Sequence, residues 1–289
     1  MKLLLKFNLV FVALFLLGIA ASGYISWQLL QKNAQEEIAE NARLIMSAAL
    51  AVRSYTNTQI KPLLQTQMVY KFLPQSVPAY SATEVLDELR KKYPNYAYKE
   101  AMLNPTNPRD RAIEWEADIV NQFRNGSAKE LYGVRDTPTG SSLYFARPMT
   151  ITDRACLTCH STVDVAPRTM VDVYGPANGF GWNFMETVGA QVVSVPTDVP
   201  LSRAKKAFVT FMGSLVGVLV VIGLILNVLL WWMFIRPVTR ISALADRISL
   251  GELEAPDFRV RSRDEIRTLA ESLARLRKSL VQAMKMLEA

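Results

Sequence analysis

The sequence predicts an α+β domain held between two membrane-spanning helices and followed by a pair of amphipathic helices. Three observations carry this expectation. Two long stretches, Phe7 to Gln31 and Ala207 to Ile235, hold no charged residue. Between them, segments rich in helix formers give way to short β-branched and aromatic runs bounded by Gly and Pro. After the second stretch, apolar residues recur at 3-4-3-4 spacing, the pattern of a coiled-coil seam.

A bilayer core requires about 20 apolar residues in a helix, and both uncharged runs are long enough. The predicted divisions are a short N-terminus (1–6), a first span (7–31), an outer segment (32–206), a second span (207–235) and a C-terminal helix pair (236–289). Lys2 and Lys6 precede the first span, and Arg236, Arg240 and Arg247 follow the second. Positive flanks on those sides place both termini in the cytoplasm and the outer segment in the periplasm of a bacterial inner membrane. Arg203, Lys205 and Lys206 oppose this assignment without reversing it. The small residues at 20–23 resemble a signal-peptidase site, but the apolar run continues to Leu30, which favours an uncleaved anchor. The chain of 289 residues carries 33 basic and 26 acidic side chains, a net charge of +7. That excess lies at the two ends, and no basic block interleaved with aromatics accompanies it, so nucleic-acid binding is excluded.

In the outer segment, residues 33–61 lack Pro and Gly, and Ile38, Ala42, Ile45, Ala49 and Val52 follow helical spacing. This helix is expected to extend the first span until Pro62 stops it. A second helix is expected over Thr83–Lys92, capped by Ser81 or Thr83, and a third over Arg109–Phe123 after the turn "NPTNP". Strands are expected at 130–135, 142–149 and 187–195. In the C-terminal pair, Ile241, Leu244 and Ile248 line one helix, and Ile266, Leu269, Leu273, Leu276 and Leu280 line the other. Gly213 and Gly217 form a G-x-x-x-G that would allow close helix contact.

The only two cysteines and the only histidine of the chain lie within five positions, as Cys156-Leu-Thr-Cys159-His160. Outside the cytoplasm, C-x-x-C-H reads as attachment of one covalent c-type haem. Two thiols a helical turn apart add to the porphyrin vinyls, and the adjacent imidazole ligates the iron. The competing readings are weaker. Structural zinc takes four protein ligands, and only three such residues exist. A redox dithiol has no use for His160, and no thioredoxin-type βαβ pattern surrounds it.

The stretches "VRSYTNTQIKPLL", "YPNYAYKEAMLNPTNPRDRAIEWEADIV", "LYFARPMTITDRACLTCH" and "GFGWNFMETVGAQVVSVP" resemble the c-haem PAS-like sensor domain of cyanobacterial and proteobacterial membrane proteins. The resemblance implies a PAS-like antiparallel sheet with flanking helices, with haem c held by Cys156 and Cys159 and ligated by His160. Some members supply a cysteine from the helix after the first span as second axial ligand; this sequence has no third cysteine. The remaining candidates for the sixth position are Met46, with Met68 and Met149 as alternatives, then lysine, tyrosine, water or an open site. Met46 and Arg53 share a helical face, which would let Arg53 reach a haem propionate. Arg236-Pro237 after the span, Gly251 and Asp264-Glu265-Ile266 resemble a HAMP domain, which implies a parallel homodimer.

The expected function is a transmembrane haem sensor of redox state or a small gaseous ligand. HAMP would relay the change to a separate cytoplasmic protein, since only a few residues follow the seam. The alternative is a membrane-anchored monohaem cytochrome in electron transfer, which needs an anchor but no cytoplasmic two-state bundle. Enzymatic activity is not expected, because a peroxidase-type site needs a distal acid or base and no second histidine exists.

Overall fold

The computed structural model describes residues 3–126, 128–138, 140–252 and 264–287. Lys2, counted above as a flanking charge, and most of the connector after Gly251 lie outside the described residues. The chain divides into two units. One is Gln28–Ala207, and the other combines Met1–Trp27 with Phe208–Ala289.

The first unit is built on a four-stranded sheet in the order β1-β4-β3-β2, antiparallel throughout. The strands are β1 (Ala97–Met102), β2 (Leu131–Thr137), β3 (Gly140–Thr150) and β4 (Thr187–Pro196). Because side chains alternate along a strand, the register decides which residues face which layer. Tyr98, Val193, Phe145 and Tyr132 stand abreast. On that face helix α1 (Leu3–Tyr55) lays down Ile38, Ala42, Met46 and Ala49, and helix α3 (Pro78–Lys92) adds Ala82 and Leu86. The opposite face carries Ala101, Ala190, Val192 and Ala146 and is covered by Ile119, Val120 and Phe123 of helix α4 (Glu114–Asn125). Strand β4 is covered on both faces, which explains its nearly unbroken apolar run.

Four sequence expectations need correction. Pro62 does not stop the helix: α1 passes through a π-turn at Thr56–Ile60 into α2 (Lys61–Met68). Proline lacks an N–H, and in an unbroken α-helix its ring would collide with the carbonyl four residues back. The wider π-turn absorbs both problems. Pro237 repeats the arrangement, following a π-turn at Trp231–Ile235. Helix α3 begins at Pro78 rather than Thr83, because proline's fixed φ suits a first helical turn. Neither Ser81 nor Thr83 caps it; their hydroxyls donate to the carbonyls of Gln75 and Ala79.

Helix α4 begins at Glu114, five residues later than expected. Pro108–Asp110 form a 3-10 turn, and the Ala112 N–H then donates to the Met102 carbonyl at 2.8 Å. The Glu116 carboxylate accepts from the Ile113 N–H and anchors the start of the helix. Finally, β1 was not anticipated at all. "AYKEAM" contains helix formers and two charges, yet each charge finds a partner on its own face. Glu100 pairs with Arg53, and Lys99 with Glu116.

The second unit contains two helical segments long and apolar enough to cross a membrane. They meet through Trp27 and Phe208, whose rings are edge-on at 5.2 Å, and through Asn227, which donates to the Asn8 side-chain carbonyl at 2.8 Å. The second segment belongs to helix α7 (Asp198–Leu230). A Cβ at Gly213 or Gly217 would meet no other part of the chain within 4 Å among the described residues. Helices α8 (Arg236–Ser249) and α9 (Glu265–Leu287) follow. Ile241, Leu244 and Ile248 pack on Ala270, Leu273 and Ala274. Of the expected seam, Leu273 is thus used within the chain, while Leu269, Leu276 and Leu280 are exposed.

Candidate functional site

The connection from β3 to β4 carries the cysteine–histidine segment. Asp153 accepts from the Ala155 N–H and opens a 3-10 turn at Arg154–Cys156 that continues into the short helix α5 (Leu157–His160). Cys156 and Cys159 are half-buried free thiols on successive turns. They and His160 line one cavity of about 280 Å³. Burial pushes both thiols up from their ordinary range, with Lys61 opposing the shift at each. The sulfurs are therefore protonated at neutral pH, unlike the low-pKa thiolate of a dithiol oxidoreductase. The two thiols and the imidazole do not converge as a metal cluster, nor does any other such group among the described residues.

His160 is held from behind by residues that sequence reasoning missed. Its ring stacks on Trp182, with centroids 3.9 Å apart and planes within 14°. Its Nδ1 lies 2.7 Å from the Gly179 carbonyl oxygen and 3.4 Å from the Thr106 hydroxyl. A proton on Nδ1, donated to that carbonyl, leaves the Nε2 lone pair free for a metal. Burial pulls the imidazole down from its ordinary pKa, more than the Gly179 carbonyl raises it, so the ring is neutral and able to ligate.

Gly179 is required on two counts. Its φ is +85°, and a Cβ there would lie 2.0 Å from the Thr106 hydroxyl oxygen. Asn104 pins the same loop, accepting from the Gly179 N–H and donating to the Phe180 carbonyl. The turn "NPTNP" and the stretch "GFGW" are thus two halves of one histidine cradle. Their Gly, Asn and Trp content was the available signal.

The other walls come from distant parts of the chain. Arg53, Asn57 and Lys61 line the cavity from α1, the π-turn and α2. They are spaced by four residues, and a continuous α-helix would let such a row drift around its surface. The wider π-turn between them keeps the row directed into the cavity. Met102 and Met149 line it from the ends of β1 and β3, with Tyr80, Asp110 and Tyr174 elsewhere on the wall.

The cavity and donor set fit a covalently tethered porphyrin: two thiols one turn apart, an adjacent imidazole with a free nitrogen, and an apolar enclosure. The expected sixth-position residues fall differently. Met46 is 1% exposed and packed in the core with Ala82, Leu86 and Phe145; it does not line the cavity. It shares a face with Arg53, as expected, but sits over the apolar part of the sheet. Met68 lines the cavity while its sulfur accepts from the Leu73 N–H and the Ser76 hydroxyl. Met149 also lines it. Arg53 is not a free cation awaiting a propionate, because it is paired with Glu100.

No curated protein sequence matches the chain. A crystal structure titled as that of the cyanobacterial heme-protein Tll0287 matches with 16% identity and a TM-score of 0.38. The match covers 58% of this chain and 95% of that one. The HAMP domain profile matches residues 229–282. The Tll0287-like profile matches residues 31–196, more than half the chain. The chain therefore belongs to the Tll0287-like family, with a HAMP domain after its second long apolar helix.

Proposed function

We propose that this protein is a periplasmic c-type haem sensor that detects redox state or a small gaseous ligand and signals through HAMP to a separate cytoplasmic protein. The observation that carries the reading is one cavity lined by Cys156, Cys159 and His160, in a Tll0287-like domain whose last strand leads directly into the helix that enters HAMP. When bound, the haem would supply an iron whose charge changes with redox state and whose sixth position can take a small ligand.

Each residue then has a definite task. The Cys156 and Cys159 sulfurs form thioethers to one haem. His160 presents Nε2 to the iron while Gly179 and Trp182 fix its tautomer and ring plane. The apolar walls limit water. Among the methionines proposed for the sixth position, Met68 and Met149 line the cavity, and of the two it is the Met68 sulfur that is already engaged, by the Leu73 N–H and the Ser76 hydroxyl. We propose no enzymatic activity, because a peroxidase-type site uses a distal histidine and the sequence holds His160 alone.

HAMP also favours a sensor over an electron carrier, because a carrier needs only an anchor. The exposed Leu269, Leu276 and Leu280 support a parallel homodimer that covers them. Positive flanks on the inner sides of the two spans support a two-pass inner-membrane protein with cytoplasmic termini. Purified protein should retain haem stain in a denaturing gel, and Cys156→Ala/Cys159→Ala should lose it. Retained stain in the double variant refutes the attachment. A reduced sample that changes its visible spectrum with CO assigns a ligand-accessible sixth position, and an inert one assigns redox sensing alone.

A further inference from the structure

Glu100 is the most completely buried charged residue of the outer domain, at 0% exposure. Its carboxylate accepts from Arg53, at 2.5 Å, and from the Tyr98 hydroxyl at 2.8 Å. That hydroxyl in turn accepts from the Gln191 side-chain amide at 3.3 Å. The four side chains form one line across the face of the sheet that α1 covers. Its first member lines the cavity, as does Cys156. Its last member lies on β4, which ends at Pro196 just before α7 begins at Asp198.

We propose that Arg53 and Glu100 form a charge-reading pair: Arg53 positions Glu100 according to the charge of the group in the cavity, and Tyr98 and Gln191 pass the change to β4. This rests on the haem reading above. Oxidation of a haem held there, its electron passing to an external one-electron acceptor, would add one positive charge that repels Arg53 and attracts Glu100. Two opposite charges bound to each other must therefore respond in opposite senses. The interior cannot leave Glu100 alone, since an unpaired buried charge is strongly destabilising. The strain is relieved along the one polar connection that Glu100 makes besides Arg53 among the described residues, through Tyr98 toward β4. Burial of the Tyr98 phenol, reinforced by the Glu100 charge, raises its pKa, so it stays protonated as the donor in this line.

The test is a redox titration of the membrane-extracted, haem-stained full chain. Arg53→Met removes a cation near the iron and should lower the midpoint potential. Glu100→Gln leaves Arg53 uncompensated and should raise it. A purely structural role would loosen the cavity in both variants and shift both the same way. Hydrogen exchange in β4 should differ between oxidised and reduced wild type and lose that difference in Tyr98→Phe, which alters no charge and remains usable if either charge variant fails to accumulate. Shifts of the same sign, no shift, or a redox-dependent exchange in β4 that survives Tyr98→Phe would overturn the proposal. Absence of haem stain in wild type would overturn the functional reading, and this inference with it.

Discussion

Removing Arg53 should destabilise the sheet-bearing unit by about 3–5 kcal/mol at neutral pH, and the reason is Glu100 rather than Arg53. In Arg53→Met the carboxylate stays buried with one remaining donor among the described residues, the Tyr98 hydroxyl. Breaking a buried pair on one side typically costs about 3–5 kcal/mol. Arg53→Met/Glu100→Gln, which leaves a neutral amide beside Tyr98, should recover most of the loss at pH 7. Guanidinium unfolding of the detergent-solubilised chain, followed by the fluorescence of Trp115 and Trp182, measures all three variants. Equal losses of stability in the single and double variants would refute the account of Glu100 as the orphaned group.

Met46→Ala should cost about 2–5 kcal/mol, as expected for a large core side chain, and leave the visible spectrum of the haem-stained protein unaltered; a changed spectrum would return Met46 to the site. Asp110, pushed up to about 6 by burial against the opposing effect of Arg109, holds its proton longer in the fold than in the unfolded chain. Stability should therefore fall as pH rises from about 4 to 6. Asp110→Asn should remove that fall and gain about 1 kcal/mol at pH 7 after solvent screening, read from unfolding midpoints across the window. Single cysteines at Leu269 or Leu276, both exposed in the chain, should form inter-subunit disulfides in oxidised membranes, and monomers throughout would remove the case for a parallel dimer.

What was legible in the sequence were patterns that local chemistry decides. The apolar runs, the 3.6-residue period of α1, the run of β4 and the C-x-x-C-H segment each show in a short window. The misreadings came where a distant partner overrode a local rule. Proline normally ends a helix, yet Pro62 lies within a continuing one because a π-turn accommodates it. "AYKEAM" has the composition of a helix, and becomes β1 because each of its charges has a partner in another element, Arg53 from α1 or Glu116 from α4. Gly179, Trp182 and Thr106 carried no visible role until the two loops that hold His160 came together.

Arg53 shows the same limit at a single residue. Helical spacing correctly put it on the face of α1 that also carries Met46, some ten ångströms along the axis for seven residues. Spacing alone could not say that the two would meet different parts of the sheet. Met46 arrives over Phe145 and Val193 and becomes core. Arg53 arrives over Glu100 at the edge of the cavity. A cation free to hold a propionate and a cation locked to a buried carboxylate have opposite consequences for the iron: the first responds to the cofactor's edge, the second to its total charge. The partner that decides between them is 47 positions away, in the one strand whose composition disguised it.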